Sequence, residues 1–201
     1  MVLDLKEVYL TSWNIFKKGW WQYIVVTLIL MFCMFVPYIG SLLQFFVMLL
    51  VLNGALKAVR GEEISFSSFF DFKKVFTVKT LIFLIIFAVY SFIMQLGANS
   101  LTLSLILAVI GIVISIVFFP IMCVIIDKEL GIKDTILHSA ALTKGVRFEI
   151  IIIMILNLFI GFLGVILFVI GVFIALPVII TATAVIYNLL EQKKSSEVSA
   201  E

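Results

Sequence analysis

The sequence predicts an all-α integral membrane protein. Its six transmembrane helices form three hairpins, each preceded by a cytoplasmic-side amphipathic interfacial helix. Three observations carry this expectation. Charge is segregated: the 14 Lys and Arg and the 12 Asp and Glu fall in four blocks, and residues 19–56, 80–126 and 150–190 contain none of them. Each charge-free stretch is about twice the roughly 20 residues of one helical crossing, so each is expected to cross, turn and return. Composition agrees, with 64% hydrophobic and 13% charged residues and a mean hydropathy of +1.32. Soluble domains carry about 25% charged residues, so a large soluble core is excluded.

The first element covers residues 1–18. Leu5, Val8, Tyr9, Ser12, Trp13 and Phe16 follow the i, i+3, i+4, i+7 spacing of one helix face, with Glu7, Thr11, Asn14 and Lys18 opposite. Such a helix is expected to lie in the interface with its aromatic rings among headgroups. Its scattered charges leave no apolar run of signal-peptide type, so no cleavable signal is expected. Spans 20–38 and 41–59 follow, with a turn signal at Pro37–Ser41. Trp20 and Trp21 suit an aromatic belt at the inner boundary.

The second unit opens with residues 65–76, where Ser68 and Asp71 have capping-box spacing and Phe66, Phe69, Phe70 and Phe76 gather on one side. Spans 79–97 and 101–126 follow, turning at Gly97–Ser100. Pro120 removes a helical hydrogen bond and predicts a kink. In the third unit Ile132–Lys144 is the interfacial helix, with Ile132, Ile136, Leu137, Ala140 and Ala141 toward the membrane and Gly145 at its C-cap. Spans 148–168 and 171–190 complete it, with a second kink expected at Pro177 and Tyr187 in the inner belt. The chain thus reads as one membrane domain, 1–192, in units 1–61, 62–131 and 132–192, with 193–201 a disordered cytoplasmic tail. Ser12–Lys17 and Ser139–Lys144 share a Ser-x4-Lys spacing, which suggests a repeat, although apolar composition alone also produces weak self-similarity.

Returning hairpins put every Lys and Arg on one face, and the positive-inside rule makes that face cytoplasmic. The expected location is the cytoplasmic membrane of a prokaryote, with both termini inside. Cys33 and Cys123 fall in opposite leaflets and read as free thiols. The small pairs Gly54/Ala58, Gly111/Ser115 and Gly171/Ala175 allow close helix approach, either within the monomer or between copies.

Two sets of residues are candidates for function. The first is basic: Lys17, Lys18, Lys73, Lys74 and Lys144 end the interfacial helices, where lysines attract anionic headgroups or a partner. Lys57, Arg60, Lys79 and Arg147 lie nearby, and topogenic signalling alone also accounts for such residues. The second set is polar and within the spans: Gln44, Asn53, Gln95, Asn157 and Thr181. Interhelical hydrogen bonding is their ordinary role and a polar pathway the sharper one. His138 reads as a wetted helix-face residue, since Ser139 beside it points about 100° away and no ligand set surrounds it. No P-loop, HExxH, GxSxG or dinucleotide fingerprint occurs, so no enzyme and no cofactor is expected. Asp127, Glu129, Asp134 and Glu149 mix the charge of the basic face, which speaks against nucleic acid.

Pro120, Asp127, Gly131, the Ser139–Gly145 segment with Phe148, and Pro177, Thr181 and Tyr187 resemble a group of prokaryotic multi-pass domains. The group includes the domain-of-unknown-function 975 type and the membrane domain fused to some glycerophosphodiester phosphodiesterases. The resemblance covers about residues 115–190 and implies a fold. The catalytic phosphodiesterase domain has no counterpart here, so the resemblance implies no activity. The expected function is a non-catalytic membrane module that organises lipid or a partner, membrane protein or second copy, at its cytoplasmic face. The alternative is a permease or channel subunit for a small neutral or lipid-like molecule.

Overall fold

The computed structural model describes residues 3–36, 40–97 and 100–198, and every regular element among them is an α-helix. The turn positions 37–39 and 98–99 and the last tail residues, 199–201, lie outside the described residues.

Helix α1 (Leu5–Lys18) starts at Asp4, whose carboxylate accepts the amides of Lys6 and Glu7. First-turn amides lack helical partners, and a capping acceptor supplies one. Its buried face, Val8, Ser12, Ile15 and Phe16, packs on α11 (Phe168–Val198). Val8, Ser12 and Phe16, read as facing the interface, are thus covered by a helix and not by headgroups. Periodicity shows that a face is apolar without saying what covers it, and here a neighbouring helix does. Leu10 and Trp13 remain exposed.

Helix α2 (Trp20–Met34) packs on α3 (Gly40–Val59), and both contact α11. Residues 65–76 form two short helices, α4 (Phe66–Phe69) and α5 (Phe72–Val75), where one was expected. Ser65 caps α4 and Asp71 caps α5, each accepting an amide three residues on. Asp71 therefore starts a new helix and does not close a box with Ser68. Only Phe69 of the four phenylalanines is fully buried. It lies against Gly54 of α3, where a Cβ would come within 2.3 Å of a ring carbon.

Helices α6 (Val78–Gly97) and α7 (Leu101–Val117) pack on each other, and α8 (Ile121–Asp127) continues α7 after a 45° bend. The bend sits at Pro120, as expected. Proline disrupts the hydrogen-bond ladder there, and the Val117 carbonyl instead accepts the Thr143 hydroxyl at 2.9 Å. Pro177 lies within α11, which runs on past it to Val198.

Helix α9 (Ile132–Leu142) buries Thr135, Ser139 and Leu142, whereas Leu137 is exposed. Gly145, at φ +88°, turns the chain into α10 (Arg147–Ile166) in a region open to glycine without Cβ strain. Helices α10 and α11 approach closely where Gly164 meets Gly171 and Ala175. Gly111 likewise faces Tyr90 of α6, so these small residues serve packing inside the chain. Helix α11 continues through Val198, over residues read as disordered tail. Contacts of Glu191 and Lys194 with His138 on α9 give these turns tertiary support that a free polar tail lacks.

Among the described residues, three helices are long and apolar enough to cross a membrane: Leu42–Val59, Arg147–Ile166 and Gly171–Ser196. Two bent pairs, Phe66–Val75 with Val78–Ile93 at 89° and Leu101–Val117 with Ile121–Asp127 at 45°, raise the number to five. The apolar stretch Trp20–Cys33 is shorter. At 1.5 Å per residue, the 15 residues of α2 span about 22 Å, against a hydrocarbon core of about 30 Å. The described helices therefore provide three to five such segments, one or more fewer than the sequence predicts.

Candidate functional site

The charged residues gather where α3, α8 and α11 come together. Arg60, just past α3, bonds Asp127 at 2.6 Å, and the Tyr187 hydroxyl donates to the other oxygen of the same carboxylate at 2.8 Å. The Asp127 side chain is 8% exposed and the Arg60 side chain 37%. The hydrogen bond from Arg60 raises its already high pKa, so the guanidinium stays charged. Next along the chain, Lys128 pairs with Glu191 at 3.2 Å, and its carbonyl accepts the Lys79 ammonium. Glu191 also accepts from His138 Nε2 at 2.5 Å, while His138 Nδ1 faces the Lys194 ammonium at 3.2 Å. A carboxylate at Nε2 and an ammonium at Nδ1 match a ring that donates from Nε2 and accepts at Nδ1. Farther round, Lys57 pairs with Asp71 at 3.2 Å.

Two sequence readings are corrected here. Tyr187 is fully buried and holds Asp127, so it is not part of a lipid-facing belt. His138 is clamped between Glu191 and Lys194 and is not simply wetted. Both errors have one source: periodicity along a single helix does not show which acceptor a neighbouring helix brings. Trp20 and Trp21 are exposed, as a belt requires.

The basic set divides in two. Lys57, Arg60 and Lys79 bond groups inside the chain. Lys17, Lys18, Lys73, Lys74 and Lys144 all present exposed side chains. Lys17 and Lys18 precede Gly19, which touches Ile64, and Gln22 donates to the Ile64 carbonyl at 3.3 Å. That contact brings the start of α2 to the segment that follows α3.

The polar span residues do not converge. Asn53 is buried and donates to the Ser68 carbonyl at 3.2 Å, which ties α4 to α3. Thr181 donates to the Pro177 carbonyl of its own helix at 2.7 Å. Asn157 accepts the Tyr9 hydroxyl at 2.8 Å and so fastens α1 to α10. Burial pushes the Tyr9 phenol up to about 12, and it stays a donor at neutral pH. Gln95 is exposed near the far end of α6. Gln44 lines a cavity of about 270 Å³, among Leu30, Met31, Phe45 and Met48. A neighbouring cavity of about 330 Å³ shares its walls Phe45, Phe87 and Met122 and is lined by apolar and aromatic residues.

Sequence reasoning missed the Arg60–Asp127–Tyr187 group and the Lys128–Glu191–His138 group. A signal was present in part: Asp127 ends one charge-free stretch and Tyr187 closes another within a turn of Glu191. Comparison with family models, with curated proteins and with solved structures finds no match for the chain.

Proposed function

We propose that the chain is a non-catalytic, multi-pass protein of a prokaryotic cytoplasmic membrane. It crosses six times as three hairpins and organises anionic lipid or a partner at its cytoplasmic face. The observation that carries this reading is the division of the basic residues. Lys57, Arg60, Lys79, Lys128 and Lys194 are bonded inside the chain, whereas Lys17, Lys18, Lys73, Lys74 and Lys144 stay exposed at helix ends. Near an anionic surface each such lysine contributes about 1 kcal/mol of attraction. The packing of α2 on α3, α6 on α7 and α10 on α11 supports the paired crossings. The resemblance of residues 115–190 to prokaryotic multi-pass membrane domains is consistent with this reading.

A permease is the competing proposal, and it needs a polar route. Asn53, Thr181 and Asn157 each bond a nearby group, which weighs against one. The expected outcome is that replacing Lys73, Lys74 and Lys144 with Gln lowers copurified anionic lipid or partner while insertion is unchanged. Asn53→Leu should leave that association intact, and reconstituted protein should show no proton- or sodium-coupled uptake. Silent lysine changes together with a measurable flux abolished by Asn53→Leu would replace this reading with the permease.

A further inference from the structure

Past Leu190, helix α11 runs through Glu191, Gln192, Lys193, Lys194, Ser195 and Ser196 without an apolar side chain. A helix end that buries no apolar face is marginal by itself. Two polar ties join this end to the fold, and both fall on His138 of α9, the one histidine of the chain. Glu191 meets the ring at Nε2 at 2.5 Å, and Lys194 meets it at Nδ1 at 3.2 Å. The two are three residues apart, so they share a helix face and one ring bridges them.

A neutral imidazole donates at one nitrogen and accepts at the other, whereas an imidazolium donates at both. A proton therefore acts on the two ties in opposite ways. The bond to the Glu191 carboxylate persists and becomes charge-assisted. At Nδ1 an N–H would face an ammonium, donor against donor and cation against cation, so the Lys194 bond needs a neutral ring. The other charged groups nearby do not reverse this. Lys128 pairs with Glu191, Asp127 at the end of α8 is held by Arg60 and Tyr187, and Asp134, one turn back on α9, is exposed. Lys144 and Lys193 line a small cavity together with Lys194, which keeps its surroundings basic.

We propose that His138 is a proton-operated latch on the C-terminal end of α11. The neutral ring holds Lys194 and the turns around it. The protonated ring keeps Glu191, releases Lys194 and lets residues 192–198 fray. Histidine ordinarily changes charge between about pH 5 and 8, so the latch is closed above that range and opens as pH falls through it. The latch stands apart from the lipid-organising reading. Together they make the exposed positive charge of that face rise as pH falls.

The test is hydrogen–deuterium exchange of the full-length protein in neutral detergent at about pH 5.5 and about pH 8, scaled to the intrinsic exchange rate at each pH. Residues 192–198 should be about 5-fold less protected at the lower pH, the scale of one hydrogen bond, while residues 178–188 stay unchanged. His138→Gln supplies an amide that can donate to Glu191 and accept from Lys194 at either pH, so protection should stay high at both. Lys194→Met removes the donor, so protection should be low at both. Circular dichroism checks that each variant keeps its helicity, and if His138→Gln does not fold, Lys194→Met decides alone. Equal protection of the unmodified protein at the two pH values would overturn the proposal. So would a pH-dependent loss of the same size in either folded variant.

Discussion

Arg60→Ala is expected to destabilise the folded protein by about 3 kcal/mol, the low end of the cost of stranding one partner of a buried ion pair. The Asp127 carboxylate is 8% exposed and would retain only the Tyr187 hydroxyl as a donor. The low end applies because Arg60 reaches solvent at 37% exposure, so water can partly replace it. Arg60 uses one nitrogen on one oxygen, so Arg60→Lys should keep most of the stability. The double change Arg60→Ala/Asp127→Ala should cost less than the sum of its parts, since it removes the stranded charge. Unfolding of purified protein in detergent, by heat or by denaturant, measures these three and the Asp127→Ala single that completes the cycle. A loss below about 1 kcal/mol for Arg60→Ala would class the pair with ordinary surface bridges.

Phe69→Ala should cost a similar amount, about 3 kcal/mol, by opening a cavity beneath α4. Its ring is fully buried, lies against Gly54 and meets Tyr23 edge-on at 5.1 Å. Gly54→Val attacks the same contact from the other side. A Cβ there would come within 2.3 Å of a Phe69 ring carbon, and Tyr23 limits where the ring can go, so about 2–3 kcal/mol is expected. Combined, the two changes should be milder than their sum, because valine occupies space that the lost ring vacates. Protease sensitivity of residues 60–77 gives a second readout, rising in each single variant as α4 leaves α3. Strict additivity would show that Gly54 and Phe69 are not packed together.

Much of the helical layout is legible in the sequence. Drawn spans 41–59, 79–97 and 148–168 lie within two residues of α3, α6 and α10 at each end, because an absence of charge over a crossing length is a strong physical constraint. Pro120 located the break between α7 and α8 because it cannot complete the hydrogen-bond ladder. Three-dimensional partners were not legible. The stripe of α1 looked suited to lipid and covers α11. Tyr187 looked like a belt residue and holds a carboxylate brought by α8. The tail looked too polar to fold and is helical to Val198, with His138 against Glu191 and Lys194. For the basic candidates, sequence showed where lysines lie, but not that Lys57, Arg60 and Lys79 bond inside the chain. That distinction decides which of them remain available to a headgroup.

The claim that every charged block shares one side of the membrane is open to a direct measurement. Topology reporters fused in turn after Glu63, Gly131 and Gln192, and within residues 37–41 and 97–100, should report cytoplasm for the first three and the outer side for the last two. A cytoplasmic signal from residues 97–100 would contradict the account. The second charge-free stretch would then fail to return, and the lysines at the ends of the three units would no longer face one membrane surface.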